Sequence, residues 1–246
     1  MPVYLPSLAI WQRDRGKISP KIRFTVRFSC QTGVLAMKTR DRILEVSLLL
    51  FNEEGESELS SVDIANALEI SPGNLYYHFK GKDAIIRALF DRFEEEMRVI
   101  LRGSKGGLAS VEDNWIYVYI LLEEIYDFRF FYRDLAGLLA RYPDLAVRFR
   151  SVAAGKRQTI ARSIDDLEKL GLIQIDSRLK APLADQIITT LTFWLAGDAL
   201  SKEVHDGPAL IHKTVFQVMC LFVPYMGEAG PAALGRMIRH FEETKG

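Results

Sequence analysis

The sequence predicts an all-α protein, a small N-terminal three-helix unit followed by a helical bundle. Three observations point there. Apolar residues recur three and four apart through most of the chain. No stretch shows the period-2 alternation of a half-buried strand. Two short capped segments, near residues 61 and 71, are followed by the glycine-rich breaker Gly103-Ser-Lys-Gly-Gly107. With 246 residues and 48% hydrophobic content, the chain has material for one large core or two small ones.

Residues 1–36 stand apart, with six Lys and Arg against the single Asp14. Val3 to Trp11 is apolar, but it lacks a preceding positive region and a small-residue cleavage site, so it is not read as a signal peptide. Three readings stay open for this segment: an upstream extension of a frame that starts at Met37, a disordered tail, or a basic arm that follows DNA. The remainder divides into 37–83 and 84–246. Thr39 to Glu54 carries Ile43, Val46, Leu50 and Phe51 at helical spacing, and Gly55 ends it. Lys38, Arg40 and Arg42 lie at its start, as solvated charges or as phosphate contacts. Ser61 is the expected cap of a second helix, Val62 to Leu68, with Val62, Ile64, Ala65 and Leu68 as its apolar stripe. Glu69-Ile70 turns the chain into Ser71, which caps a short third helix with Pro72 at its first position and Gly81 as its left-handed stop.

In that third helix Leu75 and Phe79 are four apart and share one face, so they anchor it to a core. Gly73, Asn74, Tyr76, Tyr77 and His78 are then left outside. Two short helices joined by a tight turn, the second presenting polar groups, form a helix-turn-helix pattern.

Beyond it, Asp83 is placed to cap a helix from Ala84 to about Leu101, with Ile85, Leu89, Phe93 and Met97 along one edge. After the glycine run, helices are expected over Glu112–Tyr126, Arg129–Arg141 (stopped by Pro143), Asp144–Leu170 (ending at Gly171), Leu183–Lys202, Leu210–Met226 and Pro231–Glu243. The formal net charge of zero argues against sequence-blind coating of nucleic acid, though not against a reader with local basic groups. Cys30 and Cys220 are too few for a disulfide scaffold, which suits a reducing cytoplasm. The apolar stretches, such as Trp115 to Leu122, are short of a membrane span, and no membrane association is expected.

The run from Val62 to Lys82, Val-Asp-Ile-Ala-Asn-Ala-Leu-Glu-Ile-Ser-Pro-Gly-Asn-Leu-Tyr-Tyr-His-Phe-Lys-Gly-Lys, resembles the DNA-binding domain of the tetracycline-repressor (TetR/AcrR) family of bacterial regulators. It departs from the family at Glu69, where glycine is usual; a side chain in a left-handed turn costs about 1–2 kcal/mol. The resemblance implies a dimer reading palindromic double-stranded operator DNA, and a body that binds a small effector. It carries DNA contact to Ser61, Ser71, Pro72, Gly73, Asn74, Tyr76, Tyr77, His78, Lys80 and Lys82. Ser61, His78 and Lys80 would meet phosphate, and Lys82 would be the strongest electrostatic contact. Tyr76 and Tyr77 would offer hydroxyls to phosphate and ring edges to thymine methyls, Gly73 would allow close backbone approach, and Pro72 and Asn74 would face base edges. It also implies that Leu183–Lys202 and Leu210–Met226 pair with a second copy as a four-helix interface; packing within one copy is the alternative.

In the body, Trp115, Tyr119, Phe128, Phe131, Tyr132 and Trp194 are core or pocket wall, with Arg141 and Arg148 as partners for an anionic head group. The scarcity of charge inside these helices favours an apolar effector such as a fatty acid or acyl-thioester. A metal site in a loose Glu203/His205/Asp206/His212 group is the weaker alternative. No cofactor and no enzyme activity are expected, since no nucleophile elbow, phosphate loop or dinucleotide fingerprint occurs. An effector-independent activator or architectural DNA binder is the second reading.

Overall fold

A computed structural model describes residues 38–103, 110–198, 200 and 206–229, with 232, 235, 236, 238 and 239. The segment 1–36, most of the glycine run, residues 203 and 205, and most of the expected last helix lie outside the described residues.

The described residues form helices and turns only. The head consists of α1 (Thr39–Glu54), α2 (Ser61–Ala67) and α3 (Pro72–His78). Ile43 and Phe51 of α1, Ile64 and Ala65 of α2, and Leu75 with Phe79 at α3 close its core. Helix α4 (Lys82–Gly103) leaves the head and runs into the body, burying Ile85, Leu89, Phe93 and Met97 along the predicted edge. The body comprises α5 (Val111–Asp127), the short α6 (Phe130–Arg133) and α7 (Leu135–Arg141), the long α8 (Pro143–Lys169), α9 (Ser177–Asp198) and α10 (Gly207–Cys220). Helix α8 packs against α4 on one side and α9 on the other, and α10 lies against α5 and α9.

Several boundaries differ from expectation for local reasons. Ser60, not Ser61, caps α2: its side chain accepts from the Asp63 N–H while the Asp63 carboxylate accepts from the Ser60 N–H at 2.8 Å, a reciprocal capping box. Val62 is half exposed and leaves the apolar stripe to Ile64, Ala65 and Leu68. The expected helix 129–141 divides at Asp134, whose φ of −123° and ψ of 53° is not helical and whose carboxylate caps α7 through the Gly137 N–H at 3.2 Å. Helix α9 begins at Ser177, six residues early, with Pro182 inside it; only one backbone hydrogen bond is lost there, near the helix start. Helix α10 stops before Pro224, and a 3-10 turn covers Val223–Tyr225. The run Gly207–Tyr225 is long and apolar enough to cross a membrane, contrary to expectation, yet 44% of it is buried in the bundle. Leu210, Ile211, Val215, Val218 and Met219 form the core-facing side of α10.

Candidate nucleic-acid interface

Helix α3 is held at both ends and from beneath. The Ser71 hydroxyl accepts from the Asn74 N–H at 3.1 Å, Pro72 takes the first helical position, and the Phe79 N–H closes the last turn on the Leu75 carbonyl at 2.8 Å. Gly81, at φ 93°, then reverses the chain into α4, a conformation that a side chain would strain. Glu69 sits at φ 55°, so the turn before α3 is left-handed at the position where the sequence departs from the family pattern. Leu75 and Phe79 are buried as anchors.

The residues around those anchors are mostly exposed. Ser71, Pro72, Gly73, Asn74 and Lys80 are exposed, and His78 is half-buried. Tyr76 is 57% and Tyr77 79% exposed, far more than aromatic rings retain when they serve packing. The Lys80 ammonium lies 4.4 Å from the Tyr76 ring centroid, and the Tyr77 and His78 rings meet edge to face at 5.1 Å. Such a ridge of hydroxyl, imidazole, amide and ammonium groups on a short convex helix suits the floor and walls of a DNA major groove. Ser61 is half-buried at the first position of α2. Arg42 donates to the Leu68 carbonyl at the far end of α2 (3.1 Å), and Arg40 stacks on Phe79 at 4.8 Å, so both support the motif from behind.

Lys82 is engaged within the protein: its ammonium donates to the Glu56 carbonyl at 2.8 Å and pairs with the Glu56 carboxylate at 3.1 Å. Glu56, in the loop between α1 and α2, has a side chain only 4% exposed. It also receives Arg141 at 2.8 Å and the Tyr142 hydroxyl at 3.1 Å. Burial pushes the Glu56 carboxyl up, but Lys82 and Arg141 outweigh it and hold the net value below the usual carboxylate range.

The residues assigned to an effector pocket are not brought together as one wall. Phe128, Phe131 and Tyr132 pack with Phe90, Phe93 and Phe149, with centroids 5.2–6.4 Å apart, as the aromatic core that joins α4 to the body. Trp115 is also buried, near the start of α5. Tyr119 meets the His212 ring at 4.8 Å on α10. Trp194 belongs to an open groove of about 300 Å³ between α9 and α10, with Thr190, Phe193, Gly197, Lys213 and Gln217. Arg141 and Arg148 are paired with acidic residues of the chain: Arg141 holds Glu56 and Asp134, while Arg148 pairs with Asp91 at 2.8 Å and Glu94 at 2.6 Å. Both tie the body to the head and its linking helix, because each lies opposite an acidic residue supplied by an earlier element. Among the described residues no group of three His, Cys, Asp or Glu side chains is placed to hold a metal ion.

Two features escaped the sequence. Lys156, 1% exposed on the inner face of α8, donates to the Tyr132 hydroxyl at 3.2 Å, and burial depresses its ammonium to about 8. Its spacing was the signal: Val152 lies four residues before it and Ile160 four after, both on the buried face. Second, Glu45, Arg92, Glu96, Glu124 and Asp127 gather where α1, α4 and α5 meet. Arg92 pairs with Glu45 and with Glu96 (2.9 Å), and burial with neighbouring acids raises the Glu124 carboxyl well above normal and Asp127 to about 6.

The model for bacterial regulatory proteins of the tetR family matches residues 43–89, and a second, described as a bacterial transcriptional repressor, matches 92–234. The transcriptional regulator UidR of Escherichia coli is 24% identical over 169 residues, covering 69% of this chain and 85% of that protein. The solved structure of a TetR-family transcriptional regulator from Marinobacter aquaeolei is 32% identical, covers 85% of this chain and 99% of its own, and superposes with a TM-score of 0.74. The ketosteroid transcriptional regulator KstR2 of Mycobacterium tuberculosis shares the fold at 18% identity, with a TM-score of 0.60 over 78% of this chain and 96% of its own.

Proposed function

This chain belongs to the TetR family of bacterial DNA-binding transcriptional regulators, and from that premise we propose that it is a cytoplasmic homodimeric repressor that releases a palindromic operator on binding a small effector. The observation that carries the reading is α3: a helix buried on one side by Leu75 and Phe79 and left with Tyr76 and Tyr77 exposed on the other. Pro72 and Asn74 read base edges, Ser61, Ser71, His78 and Lys80 hold phosphate, Gly73 admits the backbone, and the two tyrosines do both. Lys82 joins them when it leaves Glu56. One head reads few base pairs, so two heads set a whole number of helical turns apart supply the affinity. The α9–α10 face, with Phe193 53% exposed, supports a second copy as the other half of that interface.

The effector is met in the body and favours a conformation in which α4 has swung and the two α3 helices no longer match groove spacing. A fatty acid or acyl-thioester stays the class of choice. Arg141 and Arg148 remain the proposed partners of its acidic group, and Lys156, a buried amine hydrogen-bonded to the Tyr132 phenol, supports a third. The close packing of Phe128, Phe131 and Tyr132 favours the second reading, an effector-independent regulator. Selection of bound duplex from a random pool, followed by titration of that duplex with and without octanoate and octanoyl-coenzyme A, tests both. A palindrome and acid-dependent release are expected. A palindrome with unchanged affinity would leave the effector-independent regulator, and no selected sequence at all would end the operator reading.

A further inference from the structure

Glu56 holds two cations from different parts of the chain on one nearly buried carboxylate. Lys82, at the first position of α4, reaches Oε1 at 3.1 Å; Arg141, at the end of α7, reaches Oε2 at 2.8 Å. The Tyr142 hydroxyl lies 3.1 Å from Oε1 and 3.1 Å from Asp83 Oδ1, so the corner between α7 and α8 grips the loop after α1 and the start of α4 together. A buried carboxylate must keep at least one cation, since removing the last partner strands an unpaired charge in a poorly solvated place. With Arg141 in place, Lys82 is free to move to a phosphate. With Arg141 withdrawn, Lys82 is the remaining cation and is bound to stay. Asp134 gives Arg141 a second partner: it lies 3.2 Å away, is 61% exposed and caps the same short helix, so α7 can draw back with its arginine still paired.

We infer that Glu56 and Arg141 are positioning residues for DNA binding: Arg141, by neutralising Glu56, releases Lys82 to the phosphate backbone, and any displacement of α7 from the head locks Lys82 away. The inference rests on the operator-binding reading above. It gives that reading a route from body to head through one carboxylate and names the body residue at its end.

A double-mutant cycle on the full chain tests it, with the duplex selected by the wild-type protein as probe and affinity measured across a salt series. Arg141→Met is expected to weaken binding at least about tenfold, and to lower the salt slope by as much as Lys82→Ala does. Arg141→Lys, which keeps the charge, restores the slope. In an E56Q background the charge that competes for Lys82 is gone and only the main-chain carbonyl of residue 56 still meets it, so adding R141M lowers neither affinity nor slope; the disappearance of the slope effect is the signature a merely structural role would not give. Equal losses from R141M in both backgrounds, or no loss in the wild-type background, would overturn the inference while leaving operator binding intact. A wild-type salt slope in Lys82→Ala would remove Lys82 from phosphate and the inference with it. Thermal melts of each variant identify any that fail to fold, and Arg141→Lys keeps the comparison open if R141M does.

Discussion

Lys156 shows how far a single side chain departs from what its type suggests. A lysine is ordinarily a solvated surface group; here the bundle closes over it and leaves a phenol oxygen and a ring, 5.2 Å from ammonium to centroid, as its company. Burial lowers its pKa to about 8, below the ordinary lysine value of 10.5. Between those values the unfolded chain binds the additional proton, so stability falls as pH drops from 10.5 to about 8 and is flat below. Lys156→Met should therefore be more stable than wild type near pH 7. That advantage should shrink by about 3 kcal/mol as pH approaches 10.5, at ~1.4 kcal/mol per pKa unit. Denaturant melts of both proteins across that range check it, and parallel curves would mean that the amine is not desolvated. Asn74 is the residue-scale prediction on the DNA side: Asn74→Ala should relax preference at one or two base positions by about 1–3 kcal/mol. If selection with the variant returns the wild-type sequence, Asn74 does not read bases.

Among elements, the junction between head and body combines apolar packing, such as the Phe51 ring 5.3 Å from that of Phe130, with a small number of directed bonds. Asn52, at the end of α1, donates to the Asp127 carbonyl at 2.8 Å and accepts from the Phe130 N–H at 3.0 Å, while Arg133 donates to the Asn52 carbonyl. One buried amide thus supplies partners to the backbone where α5 ends and α6 begins. Asn52→Ala would leave the buried Phe130 N–H and the partly buried Asp127 carbonyl unmatched. At about 1–3 kcal/mol for each buried group, and less for the one water can reach, a loss of ~2–4 kcal/mol in denaturant melts is expected. A loss below 1 kcal/mol would show that water reaches this junction. The recognition helix needed no such help to be legible. Its cap, its proline, its glycine stop and its two anchors lie within eleven residues, and local geometry alone fixes which side faces out. The cap of α2 was misplaced by one residue for an equally local reason, because Ser60 and Ser61 both qualify and only the reciprocal bond with Asp63 decides between them.

At the scale of the whole molecule, zero formal charge and a polar, exposed α3 describe a protein that meets DNA through a restricted patch instead of an overall field. The α9–α10 face is the other patch. Phe193 stands there among Thr190, Gly197 and Gln217, small or polar neighbours over which a second copy can pack closely. Phe193→Glu should give a monomer in light scattering, and operator affinity should fall steeply because one head cannot use both half-sites. A dimer of wild-type stability in that variant would move the interface elsewhere. The run Gly207–Tyr225 is long and apolar enough to resemble a membrane span, and α10 turns part of that apolar surface against α5 and α9.

From the sequence alone came the all-helical class, the order of the helices and the outward face of α3, since all three follow from spacings of one to four residues. The tertiary structure alone decided which charges are free and which rings are core. Lys82 and Arg141 find Glu56 across 26 and 85 residues, and Phe131 meets Phe90 from a different helix. Which carboxylate an ammonium finds, and whether a ring lines a cavity or fills one, depends on how helices cross. Crossing is set by the fit of whole faces, which no short window of sequence contains.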